Sequence, residues 1–287
     1  MKGIIISFIN MKGGVGKTTL SIGVADYLSD SGHSTLLIDA DPQFNATQAL
    51  LDFYKNKKNS DDYDFYTNEI LEMSKTIYKL FMPQINMNKA YETPKAEELI
   101  INLKNNLDIL CGDLNLVLVN NSNNHTFINR IRNFIDYNEL RMQYEYIIID
   151  CPPTLTIYTD SALMASDYYL IPNKIDRYSI VGIDSLQRAV NNLIREERIK
   201  LRCIGLVYTM VSSSISAKQE KIRISFENKE IVNSLDIFSS RMTTANNIQY
   251  GVSGTIPTKY KSSKEDIEAI SIELIDKIRV AQMEGNQ

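Results

Sequence analysis

Nothing in this sequence offers a cysteine-based metal or disulfide framework. Cys111, Cys151 and Cys203 stand far apart with no C-x-x-C pair, which supplies no zinc or iron–sulfur ligand set and suits a reducing compartment. Each reads as a small buried hydrophobe. No apolar run approaches the ~20 residues that a bilayer-crossing helix requires, so a soluble or at most peripheral protein is expected. The opening MKGIIISFIN is too short in its apolar part for a signal peptide and reads as a strand. Excess basic charge is also missing: the formal net charge is -4 and the pI near 5.4. Any contact with nucleic acid must then come from a local patch. Internal repeats and long low-complexity tails are absent too.

What remains is 287 residues with 44% hydrophobic content, enough to bury one substantial core, and a single domain is expected. Short β-branched runs at 3–9, 34–40, 107–111, 146–150, 167–172 and 202–210 read as strands. Helical patterns fall at 18–29, stopped near Gly32, at 179–197 and at 262–283. This alternation predicts an α/β fold, a mostly parallel twisted sheet with helices on both faces. Residues 52–105 break the rhythm with a polar, Lys/Asn/Asp/Tyr-rich stretch, read as an insertion with short helices at 76–81 and 96–103. The Asn-rich 120–124 reads as a loop.

The strongest signal is Asn10-Met-Lys-Gly-Gly-Val-Gly-Lys-Thr-Thr19, directly after a strand and before a helix. A triphosphate needs several converging donors, and Gly13, Gly14, Val15 and Gly16 present backbone N–H groups on a turn whose glycines do not block approach. Lys17 adds a point charge for the β- and γ-phosphates, Thr18 a hydroxyl suited to Mg²⁺, and Thr19 with the helix N-terminus faces the α-phosphate. The expected ligands are therefore ATP and Mg²⁺ in a P-loop NTPase. Two apolar strands end in carboxylates, LLIDADP and YIIIDCPP. Asp150 ends the second and suits Mg²⁺ directly or through water. Asp39 and Asp41, two apart on an extended backbone, point the same way and can share one Mg²⁺–water network, although Asp39 also reads as a plain turn residue.

With Met11 where the ordinary P-loop has glycine and Lys12 following it, the loop resembles the deviant Walker A motif of the ParA/MinD family, on the ParA side. The resemblance covers about residues 1–50 and 107–280. It implies an ATPase in which Lys12 reaches the partner's nucleotide across an ATP-bound homodimer. It also implies that Asp39-Ala-Asp41-Pro-Gln43 is the family's switch, Asp41 orienting the attacking water and Asp39 supporting the metal shell. Ile171-Pro172 with Asp176 and Gly182 is similar to the segment after the family's fourth core strand, which makes Asp176 a cross-dimer candidate for the partner's lysine. The run from Gly205 to Met210 resembles the strand that approaches adenine, so Thr209 and Met210 are base neighbours or core residues.

Family members of this kind bind DNA nonspecifically, segregate plasmids or chromosomes, and are stimulated by a ParB-type centromere-binding partner. The resemblance therefore implies a cytoplasmic, nucleoid-associated protein. Basic residues gather around 188–202, at Lys218, Lys221 and Arg223, at Arg241, and at Lys259, Lys261 and Lys264. Arg241, Lys218, Lys221 and Arg223 are the candidate DNA contacts, set against ordinary solvated helix faces. No helix-turn-helix is legible before the loop, so site-specific DNA reading is expected of the partner. A MinD-like, membrane-associated spatial regulator is the alternative, for which 270–283 is the segment to inspect. Its mixed charge is poor for anionic lipid, and no stable membrane association is expected. Electron transfer of the nitrogenase iron-protein type would need cluster thiolates that the cysteines do not provide.

Overall fold

The structure is a computed structural model, and it describes residues 2–56, 63–82, 91–119, 125–176, 179–212, 216–245, 247–248 and 254–284. Among these, seven strands form one sheet: β1 (Ile4–Phe8), β2 (Thr35–Asp39), β3 (Ile100–Lys104), β4 (Leu107–Leu110), β5 (Tyr146–Asp150), β6 (Tyr168–Lys174) and β7 (Arg202–Thr209). Their order is β3-β4-β2-β5-β1-β6-β7. Only β3 runs antiparallel to its neighbour. A parallel sheet is covered on both faces, which is why IIISF and YIIID are apolar almost throughout rather than alternating with polar residues.

The pleat divides these side chains between two cores. Ile5, Leu36, Ile38, Ile147 and Ile149 face one side, and Ile6, Phe8, Leu37 and Ile148 the other. The longer helices are α1 (Lys17–Asp30), α2 (Asn45–Tyr54), α3 (Arg130–Tyr137), α4 (Ile157–Ala165), α5 (Ser179–Glu197), α6 (Ala217–Glu227) and α7 (Lys261–Glu284). The first face is covered by α3, α4 and α5 through Phe134, Ala162, Ile183 and Val190. The second is covered by α1 and α7 through Leu20, Val24, Ile267, Ile270, Leu274 and Ile278. These last two helices approach so closely that a Cβ on Gly23 would lie 2.6 Å from Ile267 Cδ1.

Helix α1 carries a buried carboxylate, Asp26, that ties three other segments to it. Its Oδ1 accepts from the Tyr54 hydroxyl and pairs with Lys104 at 2.6 Å, and its Oδ2 accepts from the Thr258 hydroxyl and pairs with Lys259 at 2.8 Å. Burial alone raises the pKa of such a group, but these four donors outweigh it and hold Asp26 below the ordinary carboxylate range. Helix α1 ends at Asp30, with Gly32 at φ 92° and the His33 N–H returning to the Leu28 carbonyl, the expected glycine stop.

All six expected strands are present, with ends moved by at most two residues. The helix expected at 96–103 is corrected: only Ala96–Leu99 is helical, and Ile100–Lys104 is the edge strand β3. The β-branched pair Ile100–Ile101 favours extended backbone, and Asn106 at φ 61° turns the chain back into β4. The helix expected at 76–81 is confined to Tyr78–Phe81. The loop at 120–124 lies outside the described residues, as do 57–62 and 83–90 of the insertion. No helix among the described residues is long and apolar enough to cross a membrane.

Candidate functional site

Strand order brings the chemistry together. In the sheet β5 lies between β2 and β1, with Asp150 in register with both Asp39 and Phe8. The ends of β2 and β5 and the loop leaving β1 therefore meet at one carboxyl edge of the sheet, where open α/β sheets bind ligands. Residues far apart in sequence become neighbours because each closes its strand at the same level.

The loop from Asn10 to Gly16 is held by its own polar groups. Asn10 is buried, donates from Nδ2 to the Pro172 carbonyl at 2.8 Å, and accepts the Lys12 N–H on Oδ1 at 2.9 Å. Gly14 and Gly16 take φ values of 67° and 77°, which other residues adopt only with strain, and the Gly14 position is open to solvent. Val15 is buried and its carbonyl accepts the Thr209 hydroxyl at 2.5 Å. Gly13 and Gly14 are exposed, so the turn presents its peptide groups outward at the start of α1.

Lys17 is buried, with Nζ 3.4 Å from the Lys12 carbonyl. Burial lowers its pKa, and the charges of Asp150 and Asp41 oppose that shift. Asp39 and Asp150 are completely buried and both are raised well above the ordinary carboxylate range, chiefly by burial. Their mutual proximity adds to the shift of Asp39, whereas the Thr18 hydroxyl and Lys17 pull Asp150 partly back. Asp39 Oδ2 accepts from the Thr47 N–H and hydroxyl, both at 2.8 Å, and Asp39 Oδ1 accepts the Asp41 N–H at 3.2 Å. Neither oxygen of Asp150, by contrast, has a donor within hydrogen-bond geometry, although the Thr18 and Ser21 hydroxyls stand close enough to lower its pKa.

That orphaned carboxylate beside the Thr18 hydroxyl fits a hard divalent cation. No cluster of three or more His, Cys, Asp or Glu ligands occurs among the described residues. A magnesium ion does not need one, because it keeps waters and takes the rest of its shell from substrate phosphates. Thr19 sits half-buried behind Thr18 in the first turn of α1.

The remaining expected residues lie at varying distance from this centre. Lys12 is half-buried and forms an ion pair with Asp176 of the same chain. Thr209 is spent on the Val15 carbonyl, and Met210, at φ 51°, directly follows β7. Of the basic candidates, Lys218, Lys221 and Arg241 are exposed. Arg223 is engaged on both sides, with Glu220 at 2.5 Å and Glu227 at 2.9 Å. Sequence reasoning gave no role to Asn10, Thr47, Gly112 or Met242. Gly112 N–H donates to Thr47 Oγ1 at 2.8 Å, and Met242 Cε lies 3.2 Å from where a Gly16 Cβ would stand. A buried asparagine ahead of a glycine loop was a legible signal; the other three depend on tertiary contact.

A family model described as an AAA domain, AAA_31, matches residues 3–203. The chain is 28% identical over 211 residues to the sporulation initiation inhibitor protein Soj of Bacillus subtilis, covering 74% of each. It is 32% identical over 211 residues to the chromosome partitioning protein ParA of Myxococcus xanthus, covering 74% of this chain and 66% of that one. Among solved structures, a plasmid partition protein from Borrelia burgdorferi bound to AMPPNP matches with a TM-score of 0.69 at 21% identity, over 96% of this chain and 100% of that one.

Proposed function

The chain belongs to the AAA_31 family, among the Soj and ParA partition ATPases, and on that premise we propose that it hydrolyses ATP with Mg²⁺ to segregate a plasmid or chromosome. One observation carries the reading: the glycine loop, the buried Lys17 and the unpartnered Asp150 converge at one sheet edge. The loop N–H groups and Lys17 bind the phosphates, and Thr18 and Asp150 hold the cation, with Asp39 supporting them. A Mg²⁺ ion held there would supply positive charge to offset that of the phosphates. Asp41 orients the attacking water, so positioning rather than covalent chemistry supplies the rate.

In this reading the ATP-bound form is a homodimer in which Lys12 leaves Asp176 for the partner's nucleotide, and Asp176 faces the partner's lysine. The dimer grips DNA without sequence preference through Lys218, Lys221 and Arg241. A ParB-type centromere-binding protein then stimulates hydrolysis and release, which places the chain in the cytoplasm on the nucleoid. Membrane attachment through the C-terminal helix is disfavoured, because the apolar face of α7 is already packed on the sheet.

The deciding experiment measures DNA retention with and without Mg-ATP, and hydrolysis with DNA, with the neighbouring gene's product, and with both. Retention is expected to require ATP and to weaken with salt, hydrolysis to rise synergistically, and Lys17→Ala to abolish both. Equal retention with and without ATP at moderate salt counts against the proposal.

A further inference from the structure

The loop carrying Asp41 contains a strained residue. Phe44 sits at φ 39° and ψ 37°, the left-handed region that a bulky side chain avoids, and its N–H donates to the Asp41 carbonyl at 2.8 Å. Such a conformation persists only where its surroundings impose it. Here the surroundings come from the insertion. The ring of Tyr66 stacks on the ring of Phe44 with centroids 4.8 Å apart and planes at 15°. The Tyr66 hydroxyl donates to the Gly112 carbonyl at 3.0 Å, and the tyrosine is buried.

Gly112 completes the clamp. A Cβ there would lie 2.7 Å from the Cβ of Phe44 and 3.0 Å from Cγ of Asp39, so the segment leaving β4 is pressed directly against the loop. Its N–H is held by Thr47, whose hydroxyl and N–H both donate to Asp39. The insertion is fastened beside this point twice more. Thr76 Oγ1 donates to Asp113 at 2.6 Å, and the Ile77 N–H to the Cys111 carbonyl at 2.8 Å.

We propose that Tyr66 is a positioning residue for hydrolysis: its stack on Phe44 and its bond to Gly112 fix the backbone that aims Asp41. The inference rests on the ATPase reading above and adds a role for the insertion that carries Tyr66. Loss of the ring frees Phe44 to leave the left-handed region, and Asp41 then loses the alignment of its water. The P-loop shares no contact with Tyr66 in this network, and the bonds that hold Asp39 come from Thr47 rather than from the tyrosine, so affinity for the nucleotide is expected to change little.

The test measures kcat, and separately the affinity for a non-hydrolysable ATP analogue with Mg²⁺, for Tyr66→Phe, Tyr66→Ala, Phe44→Gly and the Phe44→Gly/Tyr66→Ala pair. Tyr66→Ala is expected to lower kcat about tenfold or more with affinity held within about twofold, because small misplacements of a catalytic group cost that much. Tyr66→Phe keeps the stack and should lose no more than about threefold. Glycine takes up the left-handed conformation unaided, so in the Phe44→Gly background Tyr66→Ala should cost less than about twofold. Unchanged kcat in a folded Tyr66→Ala, equal losses in both backgrounds, or parallel loss of kcat and affinity overturns the proposal. If the wild type turns over no ATP even with DNA and partner, the ATPase reading itself has failed; an active wild type with indifferent Tyr66 variants sinks this inference alone.

Discussion

Two fully buried carboxylates at the carboxyl edge of the sheet give the protein a pH signature. Asp39 and Asp150 have folded pKa values raised toward neutrality, whereas in the unfolded chain they titrate near 4. Between those limits the native state holds more protons than the unfolded one, so stability falls as pH rises through the window. The nucleotide-free protein should therefore melt at a higher temperature at pH 6 than at pH 8, by about 2–6 °C. Asp39→Asn should flatten the difference, and a thermal-shift series across pH checks both. The carboxylates themselves were legible because each ends an apolar strand. Their shared register, Asp39 against Asp150, was not, since periodicity says where a strand is and nothing about its neighbours in the sheet. The in-chain partner of Lys12 was equally out of reach, because the approach of Asp176 depends on how β6 and the glycine loop sit together.

Elements that follow local rules were read well, and those set by tertiary contact were not. Helix α1 starts at the P-loop and stops at its glycine as the pattern demands, and the buried strands announce themselves by β-branched runs. Edge strand β3 was missed because IINLK follows a helical turn and sits in a polar stretch, and only pairing with β4 decides its conformation. The same holds for Asp26, whose buried position on α1 gives no local signal yet joins that helix to α2, β3 and the segment preceding α7. Asp26→Ala leaves Lys104 and Lys259 without their shared carboxylate and should cost about 3 kcal/mol, read as a lower midpoint in urea with little change in slope. Its depressed pKa sets the sign: the contribution is complete above the unfolded value near 4 and is lost as pH falls through the folded one. Acid sensitivity below pH 4 should accordingly be blunted in Asp26→Asn.

At the scale of the molecule, the proposed ligand site draws on β1, β2, β5 and α1, which belong to the middle of one sheet and pack on both cores. Binding there should stabilise the whole chain rather than a single loop. At about 100 times its dissociation constant, Mg-ATP adds about 2.7 kcal/mol, which for a chain of this size raises Tm by about 4–5 °C. Differential scanning calorimetry checks the shift, and amide exchange should show slowing on both sides of β1 rather than at the P-loop alone.

The place of β1 also fixes when such a site can exist during biosynthesis. Strand β1 is flanked by β5 and β6, both encoded more than 130 residues after it, with Ile4 opposite Tyr146 and Ile6 opposite Tyr168. At about 5–20 residues per second, translation leaves IIISF without either flanking strand for on the order of ten seconds. Through that interval the glycine loop lacks the two strands that frame it in the folded chain. On the proposed function, nucleotide is then expected to stabilise only a chain whose second half has already arrived.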